Sequence, residues 1–235
     1  MKRLPLLLFL ACLAACAADR PTLTRSGLFQ PGGTIVIRNI QGDINAYAPA
    51  HGQAQDEYTV SAYEPPNAPR TSVTVRPLLI TAQASAPGVR FLVRGPEGAA
   101  MDLSTRHGDI NVADFEGVVN AHVDRGNIKM LIPLYGNASI GTGNMSVIFA
   151  ATDWPDTLRF TAGTGNIELY VNENAKAHVR LHTNNGTVFS DFNLRGVSHG
   201  TSETIDAAIN GGGPRSIDVE VNTGSIRLMQ LKPQV

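Results

Sequence analysis

Asp43 and Asp109 each follow a glycine directly, in Gly-Asp-Ile. A carboxylate held at a glycine turn is a ligand type suited to calcium, but one per turn falls well short of a six-oxygen shell. The nine-residue glycine-rich repeat of calcium-binding β-rolls is also absent, so turn formation is the expected role of both residues. His178 and His182 would share one face of a strand. Arg180 lies between them on that face, and a cation there opposes a metal ion. Ser and His are plentiful, yet no Gly-x-Ser-x-Gly elbow occurs. Gly211 to Gly213 lack the Lys-Ser/Thr and the helix of a phosphate loop, which leaves a flexible corner. Trp154, in ATDWPDT, either meets a ligand or covers an edge of the fold, and covering is the favoured expectation. No catalytic residue, no metal ligand and no cofactor site is therefore assigned.

The elements that would carry these residues repeat along the chain. LSTRHGDINV (Leu103 to Val112), AHVDRGNIKM (Ala121 to Met130), ASIGTGNMSV (Ala138 to Val147) and FTAGTGNIEL (Phe160 to Leu169) follow in series. LHTNNGTVFS (Leu181 to Ser190), VEVNTGSIRL (Val219 to Leu228) and an early IRNIQGDINA (Ile37 to Ala46) complete the set. Aligned on Gly42, Gly108, Gly126, Gly143, Gly165, Gly186 and Gly224, two columns stay apolar. Two residues after each glycine stand Ile44, Ile110, Ile128, Met145, Ile167, Val188 and Ile226. Five before stand Ile37, Leu103, Ala121, Ala138, Phe160, Leu181 and Val219.

Strand residues an even number apart share a face, so these columns predict one buried face repeated many times. From Gly108 to Gly186 the glycines are 18, 17, 22 and 21 residues apart, and 38 separate Gly186 from Gly224, room for one degenerate copy. Fixed periods near 20 mean stacked supersecondary units. The expectation is an all-β, parallel β-solenoid (β-helix-like) of about 17–22 residues per rung, with an antiparallel sandwich as the alternative. Each glycine is expected to supply positive φ at a corner between two strands. Asp109, Asn127, Asn144 and Asn166, one residue on, are placed to bond along the stack as amide ladders do.

Residues 1–15 read as a leader. Met1-Lys2-Arg3 is basic, Leu4 to Leu13 is almost wholly apolar, and Leu13-Ala14-Ala15-Cys16 follows. This is a secretory signal whose apolar run is too short to span a bilayer. Its end resembles the lipobox of bacterial lipoproteins, which implies cleavage before Cys16 and acylation (palmitate among the chains) of that cysteine. Two or more acyl chains anchor a protein stably. Cys12 would leave with the leader, so no disulfide forms within the mature chain. Ala17 after the cysteine implies, by Gram-negative sorting rules, the outer membrane of the cell envelope.

The expected organisation is a lipidated Cys and tether over 16–27 and one β-solenoid domain over 28–235. Within it, 28–100 is irregular and is either about three loose rungs or an antiparallel cap. Regular repeats run over 101–191, and an insertion and C-terminal rung over 192–235. GTIVIRNIQGDINAY, the serial GDI/GNI corners and INGGGPRSIDVEVNTGSIRL together resemble the "putative adhesin" family of bacterial β-solenoid domains of unknown function, over roughly Phe29 to Leu231. The resemblance implies the fold and supplies neither an activity nor catalytic residues.

Without Lys2 and Arg3 the chain carries 17 basic against 20 acidic residues, a net charge near −3 that argues against nucleic acid as a partner. Two columns of the repeat face outward. Arg106, Asp124, Gly141, Gly163 and Asn184 stand two before the glycines, and Asn111, Lys129, Ser146, Glu168 and Phe189 three after. Neither stacks carboxylates on successive rungs, and no base stands beside a nucleophile. The expected function is a non-enzymatic, adhesin-like binding or scaffold domain. Its partners would be the membrane through the lipid anchor and an envelope glycan or protein, with end-to-end self-association open. The alternative is a carbohydrate-active enzyme, a polysaccharide lyase or hydrolase, on a parallel β-helix.

Overall fold

The computed structural model describes residues 20–30, 32–49, 56–66, 71–132 and 134–232. The leader, Cys16 and Ala17 lie outside the described residues. The chain opens with β1 (Leu23–Leu28) and a first rung made of β2 (Thr34–Gln41) and β3 (Ile44–Tyr47). Next come β4 (Glu57–Tyr63), β5 (Ser72–Arg76) and a rung of β6 (Leu79–Gln83) and β7 (Arg90–Arg94). Four rungs then follow in series: β8 (Ala100–His107) with β9 (Ile110–Ala113), β10 (Val118–Arg125) with β11 (Ile128–Ile132), β12 (Tyr135–Thr142) with β13 (Met145–Phe149), and β14 (Leu158–Thr164) with β15 (Ile167–Asn172). The rung of β16 (Ala177–Asn185) and β17 (Val188–Ser190) leads to β18 (Val197–His199) and β19 (Ser202–Ile209). The last rung is β20 (Arg215–Thr223) with β21 (Ile226–Leu231).

The first strands of the rungs form one sheet, which we call sheet B, and the second strands form sheet A. Pairing between rungs is parallel throughout, which excludes the antiparallel sandwich and makes the fold a β-solenoid. The two apolar columns predicted from the repeats are the core. Phe91, Ile44, Ile110, Ile128, Met145, Ile167, Ile226 and Val188 pair in that order along sheet A, and all but Val188 are buried. Ala82, Ile37, Leu103, Ala121, Ala138, Phe160, Val219 and Leu181 do the same along sheet B. Both sheets turn these faces to a single dry interior.

The order of rungs in space differs from their order in sequence at both ends. β20–β21 inserts between β14–β15 and β16–β17, so Gly165 neighbours Gly224 and not Gly186. Packing explains the choice. β20–β21 buries Ile217, Val219, Val221, Ile226 and Leu228 and therefore needs a rung on each side. β17 is three residues long and leaves Phe189 49% exposed, which suits the end of a stack. At the other end β6–β7 lies outside β2–β3, and the chain returns past it to β8.

Three sequence expectations change here. The 16–27 tether is shorter than expected, because β1 pairs antiparallel with β4 across Leu23 to Leu28. Its side chains are mostly exposed, so no alternation marks it. Residues 28–100 hold one further parallel rung together with antiparallel β4 and β5 at the stack's end. Phe192 to Gly212 is no degenerate rung: β18 and β19 form an antiparallel cap on β16. Antiparallel strands at the ends close edges that would otherwise template another chain.

Trp154 is 2% exposed and covers the side of the stack. It meets Phe149 edge to face at 5.1 Å and donates from Nε1 to the Ser216 carbonyl at 3.3 Å. Its neighbour Asp153 pairs with Arg215, whose side-chain hydrogen bond holds the Asp153 carboxyl below its usual range. The loop thus clamps the start of the inserted β20.

Ile167, fully buried between Met145 and Ile226, should cost about 2–5 kcal/mol on truncation to Ala, whereas Glu168→Ala one residue along should stay within about 0.5 kcal/mol. Thermal melts of the two variants check the alternation. A carboxyl whose pKa is lowered by folding stabilises the native state above its ordinary pKa and loses that effect on acidification. The melting-temperature difference between wild type and Asp153→Asn should therefore be full at neutral pH and shrink as the pH falls below the ordinary carboxylate range.

Candidate functional site

Six of the rungs turn their corners in the same way. Gly42, Gly108, Gly126, Gly143, Gly165 and Gly224 have φ between 121° and 146°. Gly186 does not share this conformation, contrary to expectation. It remains without a side chain for a different reason, since a Cβ there would overlap the Gly224 carbonyl. Beside the glycines runs the polar ladder. The Asp109 amide donates to Asp43 Oδ1 at 2.9 Å, Asn127 to Asp109 Oδ1 at 2.7 Å, and Asn144 to Asn127 Oδ1 at 3.0 Å. Asn166 donates to Asn144 Oδ1 at 3.1 Å and Ser225 to Asn166 Oδ1 at 2.9 Å. Asp43 and Asp109 are consumed as acceptors in this ladder.

His178 and His182 on sheet B are likewise engaged. His178 Nε2 lies 2.9 Å from Asp206 Oδ1. His182 bonds Thr204 Oγ1 at 2.7 Å through Nδ1 and Asn184 Oδ1 at 2.9 Å through Nε2. Two of these partners, Asp206 and Thr204, come from β19. Among the described residues no three His, Cys, Asp or Glu side chains gather as metal ligands.

Sequence reasoning missed one constellation. His122 Nδ1 lies 2.7 Å from Ser139 Oγ, and His122 Nε2 lies 2.9 Å from Asp124 Oδ1. A base does stand beside a hydroxyl, contrary to the sequence expectation. The signal was available in the repeat. His122 and Ser139 both stand four residues before their glycines, a third outward column beside those two before and three after the glycine. With the rungs in spatial order that column reads Arg38, Ser104, His122, Ser139, Thr161, Glu220 and His182.

The chemistry open to Ser139 is limited by its strand. Acyl transfer needs preorganised donors for an oxyanion. The backbone of β10 and β12 is spent in parallel ladders, β10 between β8 and β12 and β12 between β10 and β14. The His122 and Asp124 side chains are 54% and 53% exposed, so water competes at every position. The group is best described as a hydrogen-bonding row on an open face.

That row runs along a shallow trough. One depression of about 400 Å³ is lined by Arg38, Ser104, Arg106, His122 and Asp124 among others. The adjoining one, about 260 Å³, includes Asn120, His122, Asn137, Ser139, Arg159 and Thr161. His122 belongs to both. Past Ser139 and Thr161 the floor is bare at Gly141 and Gly163, where a Cβ would crowd the carbonyls of Asp124 and Gly141. On sheet A the outward column also changes once the rungs are in spatial order. Arg227 stands between Glu168 and Phe189, bonds Glu168 at 3.4 Å and lies 5.9 Å from the Phe189 ring centre.

The model of one protein family, Toastrack DUF4097, matches residues 93–229, from the end of β7 to β21. The chain belongs to this family. The match takes in all the regular repeats, the cap of β18 and β19 and the inserted last rung, and it agrees with the adhesin-like resemblance carried by the GDI/GNI corners. A comparison with curated proteins finds no match. Among solved structures the Toastrack chain is similar to a "putative cell adhesion protein" from Clostridium sporogenes, with 13% identity and a TM-score of 0.46 over 90% of this chain and 100% of that one. It is also similar to a "putative adhesin" from Bacteroides fragilis, with 10% identity and a TM-score of 0.33 over 89% and 96%. A third, a "Putative lipid binding protein" from Parabacteroides distasonis, has 9% identity and a TM-score of 0.30 over 89% and 96%.

The exposure of the row separates its loss from loss of the fold. Ser139→Ala and His122→Ala should each shift stability by no more than about 0.5–1 kcal/mol, measured by urea denaturation. A larger loss at either would mean that the network holds the stack together.

Proposed function

We propose that this Toastrack protein is a lipoprotein of the cell envelope, anchored in the outer membrane through Cys16. Its solenoid is a non-enzymatic, adhesin-like element that spaces and presents a binding face. The observation that carries this reading is the state of the outer face of sheet B. Its base–hydroxyl pairs, His122 with Ser139 and His182 with Thr204, sit on strands whose backbone donors are committed to the ladder. Such a face offers many hydrogen bonds to a ligand and no preorganised pocket for a transition state. Eight stacked rungs at about 4.8 Å each make a stiff body about 40 Å long, which gives reach and area from few residue types. The anchor rests on the sequence Leu13-Ala14-Ala15-Cys16.

Two measurements test the reading. Cys16→Ser should leave unprocessed precursor or release the protein from membranes, and a mutant that still matures and stays with the membrane in a detergent-sensitive way would rule out the anchor. Residues 17–235, which contain every described strand, should leave peptidoglycan, lipopolysaccharide and acidic glycans unchanged in size, with and without calcium. Reproducible cleavage, lost on changing one Asp, Glu or Ser139, would establish the enzyme alternative instead.

A further inference from the structure

Several arginines on the flanks of the stack have carboxylate or aromatic partners. Arg38 makes a two-pronged contact with Asp102 at 3.0 and 2.6 Å, Arg215 pairs with Asp153, and Arg227 pairs with Glu168. Arg94 lies over the Tyr47 ring. Arg106 and Arg159 are exposed and make no ion pair among the described residues. Both line the trough on sheet B, one in each depression, with His122 shared between them. Arg106 is on β8 and Arg159 on β14, three strand spacings across the sheet and four residues apart along it. That places their backbones about 19 Å from one another on a diagonal.

The charges that face the trough are Arg38, Arg106 and Arg159 against Asp102 and Asp124. Arg38 pairs with Asp102 and Asp124 is hydrogen-bonded to His122, and three guanidinium groups against two carboxylates leave the trough one net positive charge. Between Arg106 and Arg159 stand the uncharged hydrogen-bonding side chains of Asn120, Asn137, Ser139 and Thr161, together with the His122–Asp124 pair. A peptide would need a free strand edge or an apolar anchor pocket, and this face presents neither, because its strands are paired on both sides. A polymer of hydroxyls with widely spaced carboxylates fits both the charges and the neutral row. Bare backbone at Gly141 and Gly163 leaves room for it to lie flat.

We infer that the trough binds an extended acidic glycan lying diagonally across the rungs. One sugar carboxylate meets Arg106, another meets Arg159, and the hydroxyls between them bond Asn120, Asn137, His122 and Ser139. This rests on the binding reading given above and names the ligand class of the same face. The test is calorimetric titration of the detergent-solubilised full chain with polygalacturonate, and with dextran as a neutral probe. Saturable binding of polygalacturonate that weakens with added salt, and none of dextran, is the expected result. Arg106→Ala and Arg159→Ala should each weaken binding about tenfold, the worth of one charge-assisted contact, with melting temperatures unchanged. Arg195→Ala, an exposed arginine away from the trough, should bind as wild type. Equal binding of dextran, or equal losses at Arg195 and the two trough arginines, would overturn the inference. No binding together with an intact polymer would overturn it too, yet leave the non-enzymatic reading standing. A polymer shortened during the titration would overturn that reading itself.

Discussion

Each corner glycine carries its carbonyl to the place where the Cβ of the next rung's glycine would stand. A Cβ on Gly126 would meet the Gly108 carbonyl, one on Gly143 the Gly126 carbonyl, and one on Gly224 the Gly165 carbonyl. No L side chain fits this column, and the positive φ excludes most of them independently. Because the corners stack without offset, the strands on either side start in step. The apolar columns then follow as a consequence of register, since a slip of one residue would turn every core side chain to the surface.

The same register makes polar groups periodic. The corner amides find acceptors one rung away, from Asp43 through Asn166 to Ser225. Inside the corner, Thr105 and Thr183 are buried but donate to the carbonyls of Gly42 and Gly224, so the interior leaves these hydroxyls satisfied. Buried polar groups that are fully bonded specify one arrangement where slipped ones would cost more. On the outer face the repeat imposes columns without dictating their chemistry. That freedom allows a row such as Arg38, Ser104, His122, Ser139 and Thr161 to vary for binding while the core stays constant.

The ends of the stack obey a different rule. Parallel rungs can add indefinitely, so both ends need strands that cannot continue the pattern. β1, β4 and β5 at one end and β18 and β19 at the other are antiparallel. The chain reaches each end, turns back and places its first or last repeat inside the stack. Both terminal repeats thereby gain a neighbour on each side, and the clamp of Asp153, Trp154 and Arg215 adds a side-chain contact to the inserted strand.

Reading the sequence alone determines the repeating unit, the two buried columns and the corners, because each depends on short-range spacing around a glycine. The family resemblance is legible for the same reason. Tertiary structure alone decided which rungs touch. Gly186 and Gly224 look like successive copies, yet β20–β21 lies inside, since burial on both faces is a property of the whole stack. It also decided the caps, where β1, β5 and β18 are largely exposed and carry no clear alternation. The candidate site falls between these cases. Its residues occupy one column of the repeat and could have been tabulated, but the bond between His122 and Ser139 spans 17 residues and forms only when parallel pairing brings two rungs side by side.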